Sequence, residues 1–162
     1  MRQEKIKFDI LYLDEASELS AEESELLDKA AESAQNAYAP YSQFRVGAAV
    51  RLANGQIIQG NNQENAAYPS GLCAERVALF YASSKYPDIP VEAIAVTAIS
   101  EKSLIDKPIP PCGACRQVMA ETENRSNNKM RVIMRGQTGP IIIVDNMETL
   151  LPFRFLDAYL PK

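Results

Sequence analysis

Hydrophobic positions along the chain change period several times, and each change marks an element. Ile6, Phe8, Ile10 and Tyr12 occupy every second position of residues 5–13, which predicts a short N-terminal strand or arm. Ser20 with Glu23 three residues on forms a capping box. Leu26, Leu27, Ala30, Ala31 and Ala34 then recur at helical spacing, so a first helix is expected over about 21–36. Residues 44–52 (FRVGAAVRL) read as a strand, and 56–60 (QIIQG) as its return across Asn54-Gly55, the preferred pair for a two-residue hairpin turn. A polar loop (NNQENAAYPSG) leads to a helical stretch over 73–86, with Val77, Leu79 and Phe80 apolar. Residues 91–98 form an apolar strand, and Pro108, Pro110 and Pro111 stop regular structure before Cys112. A helix over 113–123 follows, then strands over 129–135 and 141–145. The end (METLLPFRFLDAYL) predicts one or two short helices broken at Pro152.

A hairpin followed by strands alternating with helices implies an α/β fold: a three-layer α/β/α sandwich with a mixed sheet of about five strands. With no internal linker, the organisation expected is an N-terminal arm over 1–20 and a single domain over 21–162.

Composition narrows the function classes. The net charge is −4 and there is no basic run, which argues against a polynucleotide substrate. No apolar run approaches the length a bilayer requires, and the N-terminus lacks a secretion signal, so a cytoplasmic protein is expected. The chain has three Cys and no His. That removes every mechanism built on a histidine base and every metal site with imidazole ligands. A disulfide framework is disfavoured by the odd Cys count. Any transition-metal site must therefore use thiolates and carboxylates.

The chemistry concentrates in Cys73-Ala74-Glu75-Arg76 and Pro111-Cys112-Gly113-Ala114-Cys115. Each segment sits where a helix is expected to begin, and a helix N-terminus favours the thiolate. Cys73, Cys112 and Cys115 would present three thiolates to one Zn2+ per chain, leaving the fourth tetrahedral position for water, as in catalytic zinc sites. Water held there ionises near neutral pH. Glu75, in the first helical turn, can reach past the helix end toward that water and move its proton without ligating the metal. Arg76 has two readings: a donor to the sulfurs that offsets their negative charge, or an ordinary surface arginine. The C-x-x-C pair also admits a structural zinc or a redox reading. The redox reading leaves Cys73 and Glu75 unexplained, and the structural one usually completes four protein ligands.

The pattern C-A-E followed by P-C-x-x-C resembles the zinc-dependent cytidine deaminases, whose zinc–glutamate chemistry is a general one for such enzymes. The resemblance extends to residues 38–50, 60–68, 73–79, 110–119 and 149–152, and covers about residues 25–160. The all-thiolate ligand set is similar to the small homotetrameric branch. The resemblance implies deamination of cytidine and 2′-deoxycytidine, in pyrimidine salvage, with active sites shared between subunits of a homo-oligomer. It implies that Asn62 and Glu64 bind the ribose, chiefly its 3′-hydroxyl, and that Phe44 lies against the base. A lone Phe at a strand start is ordinarily core, so Phe44 rests on the resemblance. Phe155 and Tyr68 match positions contributed across an interface, and the Ala74 N–H would bond the base carbonyl. Two positions depart from the family: Arg45 where Pro is common, and Asn61 where Cys is common. Competing readings are a deaminase for another aminopyrimidine, such as a nucleoside antibiotic, and a non-catalytic zinc module that scaffolds an assembly.

Overall fold

A computed structural model describes residues 1–161. In chain order it runs β1 (Leu11–Leu13), α1 (Ala21–Ala34), β2 (Phe44–Leu52), β3 (Ile57–Asn61) and α2 (Ala74–Lys85). There follow β4 (Val91–Ser100), α3 (Gly113–Ser126), β5 (Arg131–Arg135), β6 (Ile141–Val144) and α4 (Met147–Leu150). A further 3-10 turn at Asp157–Tyr159 lies beyond the break at Pro152.

The strands form one sheet in the order β1-β6-β5-β4-β2-β3. Only β4 and β5 run parallel, joined by the crossover that contains α3. The central strands are buried on both faces, which explains why VEAIAVTA reads as a nearly continuous apolar run. On one face Leu26, Leu27 and Ala30 of α1 pack on Ala49, Ala95, Ile133 and Ile143. On the other, Ala78, Leu79 and Ala82 of α2 and Met119 and Ala120 of α3 pack on Ala48, Val50, Ile94, Val96 and Val132. Helices on both sheet faces make this the expected three-layer α/β/α arrangement.

The sheet has six strands rather than about five. The sixth is β1, whose Leu11–Leu13 pair antiparallel with Ile141–Ile143. The strand anticipated over 5–13 shrinks to these three residues, which pair with the first three of β6. Leu13 enters the core, while Ile6, Phe8 and Ile10 stay exposed. The hairpin between β2 and β3 also differs from expectation. Leu52 N–H bonds to Gln56 O at 2.9 Å, enclosing three loop residues, and only Gly55 adopts a left-handed backbone (φ +80°). A two-residue type I′ turn would need Asn54 there as well.

Two devices position α2. Gly60 of β3 lies so close to the helix that a Cβ would come within 2.6 Å of Ala74 O and Ala78 N. No larger residue lets the helix start approach the sheet this closely. Gln63 and Leu72 exchange backbone hydrogen bonds at 2.9 and 3.0 Å, an antiparallel bridge that sets Asn62 across from Cys73.

Candidate metal and active site

Cys73 is the N-cap of α2 and Cys112 the N-cap of α3, and Cys115 lies in the first turn of α3. Neither N-cap sulfur accepts a capping hydrogen bond from the backbone of its helix, and the two sulfurs face each other. Cys73 Sγ lies 3.9 Å from Cys112 Sγ, and Cys112 Sγ lies 3.5 Å from Cys115 Sγ. All three sulfurs fall within 4.8 Å of one another. Thiolates on a tetrahedral zinc, with Zn–S bonds of about 2.3 Å, stand about 3.8 Å apart. Donor type and spacing therefore fit zinc. Cys115 is buried, Cys73 half-buried and Cys112 exposed, so the cluster opens on one side.

The pairing of Cys73 with Cys115 dominates the electrostatics of the cluster, with Arg76 beside it. The Cys73 thiol is pulled down to about 5, first by its hydrogen bond with Cys115, against the cost of burial, and then by Arg76 and Cys112. The same pairing, with burial, pushes the Cys115 thiol up. Arg76 Nη2 donates to Cys73 Sγ at 3.7 Å and to Gly71 O at 3.4 Å.

Glu75 is 4% exposed. Burial raises its pKa most, and the negative Cys73 sulfur adds to that, while its own backbone N–H and the neighbouring Cys115 thiol act the other way. A buried carboxyl with a raised pKa, beside a cluster of three sulfurs, is chemically able to take up and release a proton. Ala74, the first residue of α2, is fully buried beside it.

Asn62 lies across the Gln63–Leu72 bridge from Cys73, and its side chain bonds to the backbone of Phe44. The Asn62 amide accepts from Val46 N–H at 2.8 Å and donates to Phe44 O at 3.0 Å, fixing the start of β2. Glu64 Oε2 accepts from Tyr41 N–H at 2.8 Å and Ser42 N–H at 3.3 Å. Tyr68 and Phe155 instead project to the surface, 92% and 58% exposed. The Phe155 ring stacks on Tyr159 at 6.1 Å.

Several positioning residues were not singled out in the sequence. Arg116 donates from Nε to Pro111 O (2.9 Å) and from Nη1 to Leu150 O (3.0 Å), tying the start of α3 to the C-terminal segment. The Gln117 side chain donates to Phe155 O at 2.6 Å and accepts from Phe155 N–H at 3.3 Å. Both lie in PPCGACRQVM, where the cysteines drew the attention. The two family departures find partners: Arg45 pairs with Glu101 at 2.6 Å, and Asn61 donates to Ser33 O at 3.1 Å.

Residues 20–129 match the family described as the cytidine and deoxycytidylate deaminase zinc-binding region. The cytidine deaminase of Halalkalibacterium halodurans is 50% identical over 96 residues, 59% of this chain and 68% of that protein. The cytidine deaminase of Sporosarcina psychrophila is 44% identical over 116 residues, 72% of this chain and 79% of that one. The crystal structure of cytidine deaminase from Burkholderia pseudomallei superposes with a TM-score of 0.70 at 38% identity, covering 81% of this chain and 97% of that one. Fold and cysteine cluster together define a zinc-binding deaminase. The chain belongs to the family of cytidine and deoxycytidylate deaminases.

Proposed function

We propose that this protein hydrolytically deaminates cytidine and 2′-deoxycytidine to uridine and 2′-deoxyuridine, releasing ammonia, in pyrimidine salvage. The observation that carries this reading is the buried Glu75 carboxyl beside three sulfurs brought to one point by two helix starts. Cys73, Cys112 and Cys115 would hold one zinc per chain, which when bound would supply an acidified water as nucleophile. In the net reaction water oxygen adds to C4, the bond from C4 to the amino nitrogen breaks, and the C4 carbonyl forms as ammonia leaves. Glu75 carries the two protons of the attacking water in turn, the first to the ring nitrogen N3, where it stays, and the second to the leaving amine. Arg76 offsets the charge of three thiolates. Asn62 and Glu64 receive the ribose, Phe44 lies along the base, and the Ala74 N–H donates to the base carbonyl.

The protein works as a homo-oligomer, most simply a homotetramer, in which Phe155 and Tyr68 complete a neighbour's site. Their exposure supports this reading. Among the described residues no helix is long and apolar enough to cross a membrane, in keeping with action on a nucleoside in the cytoplasm. Residues 21–162 act as one deaminase domain and 1–20 as an arm.

Glu75→Gln tests the assignment. The amide cannot carry a proton, so kcat with cytidine should fall about 10²–10⁴-fold while zinc content and thermal midpoint hold. Near-normal kcat in the zinc-loaded variant would remove Glu75 from the mechanism.

A further inference from the structure

The connection from β4 to α3 touches the turn before β2, where Lys102 Nζ reaches Ser42 O. We infer that Lys102, on this connection, is a positioning residue for sugar recognition. It holds the turn whose amides orient Glu64. The inference rests on the reading of Glu64 as the ligand of the ribose hydroxyl.

The turn spans residues 39–43 and closes with Gln43 N–H on Ala39 O at 3.0 Å. Gln43 has a left-handed backbone (φ +57°), a conformation that sterically disfavours any residue with a side chain. A turn with that conformation keeps its shape through outside ties. On its inner side, Tyr41 N–H and Ser42 N–H donate to Glu64 Oε2 at 2.8 and 3.3 Å. On its other side, Lys102 Nζ donates to Ser42 O at 3.1 Å. Ser42 is thus held through its N–H by the carboxylate and through its C=O by the ammonium. Hydrogen bonding from the Ser42 side chain lowers the Glu64 pKa most, the two amides add to this, and Lys102 is close enough to contribute as well.

Lys102 is itself anchored. Its N–H bonds to Ser100 Oγ at 3.2 Å, and the adjacent Glu101 pairs with Arg45 at 2.6 Å. Beyond it, Gln137 Oε1 accepts from Ser100 N–H at 3.3 Å and Ile105 N–H at 3.2 Å. A Cβ on Gly136 would come within 2.4 Å of Ile105 O, so the turn after β5 lies directly against the connection. The ammonium therefore stands on a braced segment. It transmits that rigidity to Ser42, and through Ser42 to Glu64. Loss of Lys102 frees one side of the turn, and Glu64 must then be ordered by the substrate.

The experiment compares the zinc-loaded wild type with Lys102→Ala, Lys102→Arg, Glu64→Ala and the Lys102→Ala/Glu64→Ala double variant, using cytidine and 3′-deoxycytidine. Lys102→Ala should raise KM for cytidine about 3–10-fold, within the range of couplings in one hydrogen-bond network. Its kcat and thermal midpoint should hold, and its kinetics with 3′-deoxycytidine should match wild type. Lys102→Arg, which can reach the same carbonyl, should restore KM. In the Glu64→Ala background the Lys102 change should add nothing. An equal KM increase for both substrates, or none, would overturn the inference. If Glu64→Ala abolishes the preference for the 3′-hydroxyl but Lys102→Ala leaves it intact, only the role of Lys102 fails. If Glu64→Ala keeps that preference, the reading of Glu64 fails and this inference falls with it.

Discussion

Among single residues, Arg76 carries an unusual burden. Three thiolates on one divalent ion leave a net negative centre, and Arg76 Nη2 is the guanidinium donor to Cys73 Sγ. Its Nε is buried without a partner among the described residues, so the side chain is held by its Nη2 contacts to sulfur and to Gly71 O. Groups that orient metal ligands typically contribute 10- to 100-fold in metal affinity or activity, about the effect expected of Arg76→Ala. Competition with a chromogenic chelator should show weaker zinc retention in Arg76→Ala. Lysine offers one point charge instead of a planar fork, so Arg76→Lys should recover only part of it. Unchanged retention in both variants would return Arg76 to the surface-arginine reading.

Among the elements, α1 shows how a local signal is reinforced by tertiary contacts. Ser20 and Glu23 make the reciprocal capping box expected from their spacing, with Ser20 N–H on Glu23 Oε2 at 2.9 Å. Arg131 of β5 then donates to Glu23 Oε1 at 2.8 Å and also pairs with Asp145. Burial works against the Glu23 carboxylate, but the Ser20 amide, the Ser20 hydroxyl and Arg131 outweigh it and hold its pKa below the usual value. A depressed carboxylate stabilises the fold above its unfolded pKa, near 4.5, and loses that contribution as pH falls through the lower folded value. Glu23→Gln should therefore be about 1 kcal/mol less stable than wild type at pH 7. The difference should shrink in acid, as read by urea midpoints across the pH range. A constant gap at every pH would show that Glu23 acts only by packing.

Element boundaries were legible where the signal is local. Caps at Ser20, Cys73 and Cys112, a run of prolines and a change of hydrophobic period place α1, β2, α2 and α3 within a few residues of expectation. The cysteines and Glu75 were legible because helix starts bring short motifs to defined places. What escaped depends on long-range partners. The length of the N-terminal strand depends on its pairing with β6, and nothing in residues 5–13 encodes that partner. The hairpin loop takes three residues because Leu52 continues the β2–β3 register by bonding to Gln56, and Asn54 does not adopt the left-handed backbone that a two-residue type I′ turn needs. Lys102, Arg116 and Gln117 are polar residues whose partners lie 60, 34 and 38 positions away, and such pairs leave no periodicity to read.

For the whole molecule, the exposed aromatics matter most. Phe155 is pinned by Gln117 to the helix that carries Cys115, yet its ring faces outward. If it serves a neighbour, each active site needs parts of two chains. A Cys73→Ala chain lacks a working zinc but still offers Phe155, whereas a Phe155→Ala chain keeps zinc but offers no aromatic cover. Loss of that cover should weaken base binding by roughly 1–3 kcal/mol, by analogy with base–aromatic stacking. Refolded together, the two variants should form some sites with wild-type KM. Activity at low cytidine should then exceed the mean of the separately refolded samples. Activity equal to that mean, with mixed oligomers verified, would confine Phe155 to its own chain.

The two N-cap sulfurs that meet at 3.9 Å come from positions 39 residues apart, with β4 and its long connection between them. An ion bound by both is a cross-link as well as a reagent. Tying a loop of that length removes conformational freedom from the unfolded chain, and for a covalent bridge the loop-entropy model puts the effect at about 4 kcal/mol. Chelation should therefore lower the thermal midpoint of the inactive Glu75→Gln variant as much as that of wild type. Refolding without metal should leave the junction between α2 and α3 the first part to open to hydrogen exchange. An ion held by this cluster would be, in mechanical terms, the rivet through two helix ends.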